Sequence, residues 1–156
     1  MNYWLMKSEP TVYSIEDLEN DGKTEWEGVR NYQARNFMRD QMQMGDLVLF
    51  YHSNAEPPGI AGIAIITREA AVDPFQFDKH SPYYDAAAHP DRPRWLSVEL
   101  SFVEKFPNII SLDAIKKDPK LCPMEVARRG NRLSVQPVKP AEFNHVLRKA
   151  GARFKK

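Results

Sequence analysis

The run IAGIAIITREAAV, residues 60–72, limits the fold more than any other stretch of the chain. It is a long β run carrying one glycine, Gly62, in its interior. Glycine weakens a strand, so a glycine kept inside one marks a bulge or a bend. The sheet built around this run is therefore expected to curve. Around it lie shorter β runs. NYWLMK (2–7) alternates weakly and is stopped by SEP, because proline restricts Glu9 before it. TEWEGV is β-prone around Trp26, GDLVLFYHS (45–53) follows a Gly-Asp turn, WLSVELSFVEKF (95–106) alternates well, and a strand follows RLSV.

Short helices fall between these strands. Ser14 caps SIEDLEND, with Asp17 three residues on and Gly22 at its end. Asn31 caps NYQARNFMRDQMQM, and Gly45 occupies the position of a C-terminal glycine. Ala34, Phe37, Met38 and Met42 recur at helical spacing and should face the core, whereas Arg35 and Arg39 share another face. Ser111 caps SLDAIKKD, and KPAEFNHVLRKAG forms a last helix ending at Gly151. No linker or repeat divides the chain. The expectation is one α+β domain over residues 1–156, a bent β-barrel or curved mixed sheet with short flanking helices and a basic tail at 151–156.

Composition excludes several classes. Lys+Arg is 22 against 21 Asp+Glu, a net charge of +1, which argues against coating duplex DNA by bulk charge. The lone Cys122 cannot form an internal disulfide and reads as a small hydrophobe in LCPM. His52, His80, His89 and His145 show no ligand spacing with one another or with Cys122, so no metal and no cofactor is expected. The chain lacks a P-loop and a G-x-S-x-G elbow. No stretch approaches a membrane span, and the N-terminal apolar run is too short for a signal peptide. A cytoplasmic protein is expected, nucleoid-associated if it binds nucleic acid.

The stretch GVRNYQARN, residues 28–36, gathers two arginines, two asparagines, a glutamine and a tyrosine just after Trp26. A base taken out of its stack needs aromatic or guanidinium faces and partners for its edge. Phosphates want arginine and a helix N-terminus. Arg30 and Arg35 fit phosphate contacts, and Arg39 reads as a solvated helix face. Arg128, Arg129 and Arg132 form the densest basic run outside the tail and are further phosphate candidates. Trp4 reads as core. Trp26 and Trp95 read equally as core or as pocket wall. Residues 73–94, rich in proline and aromatics, read as a long ordered loop.

YWLMKSEP, WEGVRNYQARNFMRDQMQMGDLVLFYHS, FDKHSPYYD followed by PRW, and RLSVQPV, in this order, resemble the EVE domain family over about residues 2–150. The resemblance implies a PUA-like fold, similar to YTH and ASCH domains. It also implies a non-enzymatic reader that accepts a modified base, such as a modified cytosine in DNA or a modified RNA base, in an aromatic-lined pocket. Carried over by motif, that pocket draws on Lys7, Ser8, Glu9, Trp26, Val29, Asn31, Tyr32, Tyr51, His52, Ser53 and Trp95, with Arg30 at the helix start and the RLSV segment, including Ser134, closing or flanking it. The alanine run in YYDAAAHPDRPRW departs from the family pattern. Two other classes compete. One is a hydrolase of a modified nucleoside, with Lys7, Glu9 and Tyr32 as base, acid and anchor. The other is a protein-interaction module docking through the 73–94 loop.

Overall fold

The structure, a computed structural model, describes residues 1–155; the last residue of the basic tail lies outside them. Its strands are β1 (Tyr3–Ser8), β2 (Lys23–Trp26), β3 (Leu47–His52), β4 (Gly59–Val72), β5 (Leu96–Ser111) and β6 (Val135–Val138). Its helices are α1 (Ile15–Asp21), α2 (Tyr32–Asp40), α3 (Leu112–Lys117) and α4 (Pro140–Ala150). The strands form one curved mixed sheet in the order β2-β5-β4-β3-β1-β6, which stays open, with β2 and β6 as its edges.

β1 runs parallel to β3, with Lys7 opposite Tyr51 and Ser8 opposite His52; the other pairs are antiparallel. Alternation then sorts side chains between two cores. Trp4, Met6, Val48 and Phe50 face α1 and α2, whose Ile15, Leu18, Ala34 and Met38 complete that layer. Tyr3, Leu5, Leu49 and Tyr51 face the other way, onto Ile115, Phe143 and Val146. A strand covered on both faces has no polar side to alternate, which is why LVLFYH is buried throughout.

Gly62 does mark an irregularity, because the β4–β5 register shifts between Ile60 and Gly62. A side chain there would strike the Glu104 carbonyl and Ile15. β5 runs past the expected end at Phe106. Its Pro107, which has no N–H to donate, lies where pairing with β4 lapses between Lys105 and Ile110.

Two further expectations are corrected. α2 ends at Asp40, not near Gly45. The buried Asp46 carboxylate takes the Gln43 N–H at 2.9 Å and the Trp4 indole N–H at 3.0 Å, which fixes residues 41–46 as a tight turn. Cys122 is exposed, because Leu121 and Met124 fill the inward positions of its turn. Ser14, Asn31 and Ser111 do cap their helices, each accepting from a backbone N–H at 3.0–3.1 Å.

A cleft at the ends of β1, β2 and β3

The parallel pairing of β1 and β3 brings two distant motifs together at their C-terminal ends. The Ser53 N–H donates to the Ser8 carbonyl at 2.9 Å, and the Lys7 N–H donates to the Ser134 carbonyl at 2.9 Å. Beside them, β2 ends at Trp26 and runs into the 27–31 turn. Together these segments wall an open cleft of about 590 Å³, lined by residues 7–9, 12–13, 24–30, 83 and 134. Binding sites for small organic groups fall in the range of roughly 300–1,000 Å³. Trp26 is 8% exposed and meets Phe50 edge-on at 5.5 Å, so its place in the wall is fixed from behind. Tyr83 reaches the cleft from the long loop. Gly28 permits this: its φ is +82°, and a Cβ there would lie 2.7 Å from the Tyr83 ring.

A buried clamp holds the 27–31 turn against the long loop. Asp73 is fully buried and accepts from the Gly28 N–H at 2.9 Å, an Arg30 Nη at 3.0 Å and the Phe75 N–H at 2.8 Å. Arg30 also donates Nε to the Tyr83 carbonyl at 2.9 Å, and its guanidinium lies 5.6 Å from the ring centres of both Tyr83 and Trp95. The sequence placed Arg30 at a phosphate. Its guanidinium is instead turned inward as a brace, because Asp73 supplies a dry partner for it. Gln76 is equally buried and bridges the two ends of the loop, donating to the Asp73 and Trp95 carbonyls and accepting from the Arg94 and Trp95 N–H groups. The Trp95 indole donates to Asp85 at 2.8 Å and holds that carboxyl below its usual range. The loop is thus ordered by its own hydrogen bonds.

The remaining expected residues divide into three places. His52 is buried beneath the cleft, where its Nε2 accepts from the Ile15 N–H at 3.1 Å; burial lowers its pKa, consistent with a neutral ring. Tyr51 belongs to the second core, and burial raises its pKa. Neither lines the cleft. Outside it, Tyr32 stacks on Trp95 at 4.8 Å and is 49% exposed, with the Arg35 guanidinium 4.8 Å from its ring and Arg94 donating to its hydroxyl. Arg35 also lines an open groove of about 720 Å³ with Arg92 and Arg94. On the other side, Asn31 caps α2 and lines a second groove with Arg128, Arg129 and Arg132. This groove adjoins the cleft along the chain, since Asn31 follows Arg30 and Leu133 precedes Ser134.

Burial lowers the pKa of Lys7 in the cleft. It raises that of Glu27, with the nearby Asp73 and Glu25 charges adding to the effect. Tyr13 is pushed up to about 12, first by burial and then by the hydrogen bond that it donates to Asp21 at 2.7 Å. Sequence reasoning missed Tyr83 and Glu27 as cleft residues and Asp73 as the clamp. PYYD within an ordered loop was the only signal for Tyr83, and DPFQF announces a capped turn without naming its partner. Among the described residues no group of three or more His, Cys, Asp or Glu is placed to hold a metal ion, and no helix is long and apolar enough to cross a membrane.

The family model for the EVE domain matches residues 2–149. Thymocyte nuclear protein 1 of Rattus norvegicus is 43% identical over 94% of this chain and 72% of its own length. A crystal structure of a protein from Pseudomonas syringae superposes with a TM-score of 0.92 at 44% identity, covering 95% of this chain and 99% of that one. The crystal structure of human THYN1 protein in complex with 5-methylcytosine-containing DNA has a TM-score of 0.86 at 37% identity and covers both chains fully.

Proposed function

The chain belongs to the EVE domain family, and from that premise we propose that it is a non-enzymatic reader of nucleic acid. It takes a modified base, such as a modified cytosine, from a single strand or flipped out of a duplex. The base enters the cleft and lies against Trp26 and Tyr83, with Lys7, Ser8, Glu9 and Val29 in the walls. Arg129 and Arg132 follow the backbone phosphates along the groove beside the α2 N-terminus, where Arg128 is already paired with Glu125 at 3.2 Å. Arg35 with Arg92 and Arg94 offers a second set of phosphate contacts.

The observation that carries this reading is that the cleft is open. Trp26 is packed from behind and Tyr83 is held over Gly28, so neither ring fills the space between them. A relative that matches over the full chain was crystallised on 5-methylcytosine DNA, which supports the choice of guest. The near-neutral net charge fits a protein that concentrates its arginines in grooves on either side of the cleft rather than over its whole surface.

The test is a titration of single-stranded oligonucleotides, at one stated salt concentration, that differ only in carrying 5-methylcytosine, cytosine or an abasic site. The modified base should bind tightest and the abasic strand weakest. Trp26→Leu keeps apolar bulk but removes the aromatic face, and should weaken binding of the base-bearing strand by about 1–3 kcal/mol. Equal binding of all three strands, or an unchanged affinity in a folded Trp26→Leu variant, would overturn the proposal.

A further inference from the structure

Most polar groups that line the cleft already have partners. Glu9 accepts from the Asn54 side chain at 2.6 Å, and Glu25 accepts from Arg68 at 2.7 Å. The Ser8 hydroxyl donates to the Tyr13 carbonyl at 2.6 Å, the Tyr13 hydroxyl donates to Asp21, and Arg30 is held by Asp73. Among the described residues the buried Arg30 Nη2 and the Tyr83 and Ser134 hydroxyls make no hydrogen bond, and two charged groups and an indole stand beside them. The Lys7 ammonium, the Glu27 carboxyl and the Trp26 indole N–H make no hydrogen bond or ion pair among the described residues. Lys7 has only the edge of a ring contact, with Nζ 5.8 Å from the centre of Tyr51.

Opposite charges sharing one half-buried cleft would be expected to pair, since an unpaired charge withdrawn from water is costly. Lys7 and Glu27 do not pair. Groups left in this state in a cleft mark binding sites. Their chemistry specifies a guest with a donor for the carboxylate and an acceptor for the ammonium. An amino group beside a ring nitrogen, the amidine edge of cytosine or adenine, has both. A keto base turns a carbonyl oxygen toward the carboxylate, and two acceptors then face each other.

We infer that Glu27 is a specificity-determining residue, accepting from the exocyclic amino group of an aminopyrimidine or aminopurine while Lys7 donates to an acceptor on the same base. This rests on the cleft being the base site, as proposed above. The raised pKa of Glu27 agrees with it, because an amino donor would supply the stabilisation that burial withholds from the carboxylate.

5-Methylcytosine and thymine isolate this edge, because they share a ring and a methyl group and differ in the amino-to-keto exchange with its ring proton. Single-stranded oligonucleotides carrying one 5-methylcytosine, thymine, adenine or abasic site are titrated against wild type, Glu27→Gln and Lys7→Met. Wild type should favour 5-methylcytosine over thymine by about tenfold. Glu27→Gln, whose amide donates to a keto oxygen, should bring the two within about twofold while leaving abasic binding unchanged. Lys7→Met should weaken the 5-methylcytosine and adenine strands, whose ring nitrogen accepts, more than the thymine strand, whose ring nitrogen carries a proton. The adenine strand shows whether the cleft takes the larger ring through the same edge. If Glu27→Gln alters the fold by circular dichroism, Glu27→Asp, which keeps the charge and shortens its reach, should lower the same ratio. An undiminished ratio in a folded Glu27 variant overturns the inference and leaves the base site standing. Wild type that binds abasic and base-bearing strands alike overturns the base site itself.

Discussion

Asp73 and Glu27 are two acidic side chains that meet at Gly28: the first accepts its amide hydrogen, and the second precedes it in the chain. Asp73 is fully buried and answered by three donors. Glu27 is half-buried in the cleft and answered by none among the described residues. The same contrast separates Arg30, whose charge is held by Asp73, from Lys7, whose charge meets no carboxylate among the described residues. The carboxylate on the clamp side is fully answered by protein donors, although Arg30 Nη2 beside it is buried without a partner, whereas the carboxylate on the cleft side is left for a guest to answer. A charge that the fold has already answered is therefore a poor candidate for ligand contact, however well placed its residue type looks in a motif.

That contrast breaks if the clamp proves dispensable. Asp73→Ala strands the Arg30 guanidinium and two backbone N–H groups in a dry site, and should cost about 3–5 kcal/mol in urea unfolding. A loss under about 1 kcal/mol would mean that the clamp is not structural.

A second carboxylate, away from the cleft, is also answered by the fold. Asp118 accepts from His145 Nε2 at 2.8 Å, the Lys120 N–H at 2.9 Å and Lys149 Nζ at 3.2 Å, tying the end of α3 to α4. Chiefly through the His145 bond, its pKa falls to about 2. A folded-state value below the unfolded one means that the folded chain holds the proton less tightly. The stabilisation is therefore complete above the ordinary aspartate value of about 4, and is lost as the pH drops toward about 2. The thermal midpoint of wild type should fall more steeply across that window than that of Asp118→Asn. Parallel curves would remove Asp118 from the acid response.

The smallest effects belong to the cleft. Because Lys7 and Glu27 have no partner to lose, Lys7→Met and Glu27→Gln should each change unfolding stability by no more than about 0.5 kcal/mol, or raise it slightly. A large loss from either would show that the fold depends on that charge and would erase the distinction from Asp73.

What the sequence revealed follows the range of each interaction. Caps at Ser14, Asn31 and Ser111 are local, since a side chain bonds an N–H three residues on, and they read correctly. The bend at Gly62 was legible for the same reason. The early end of α2 was not, because it depends on Asp46 folding back onto Gln43 and reaching Trp4 across the chain. Nor was the continuation of β5 beyond Pro107, which resumes only because Gly59 and Ile60 are there to pair with it. In the site, Lys7, Ser8, Glu9, Trp26, Val29 and Ser134 were expected from their motifs and do share one cleft. Tyr51 and His52 were expected there and do not line it, because Tyr51 packs into the second core and His52 is buried with its Nε2 committed to the Ile15 N–H. The inward turn of Arg30 depends on Asp73, distant in sequence, and no local pattern announces that pairing.

One measurement bears on all of this most directly: a crystal structure of the protein with a short single-stranded DNA containing one 5-methylcytosine. The account expects the methylated base inside the cleft with its ring against Trp26, its amino group toward Glu27, and the strand following the Arg128–Arg132 groove. A strand bound elsewhere, with Tyr83 folded into the space that the base should occupy, would contradict it.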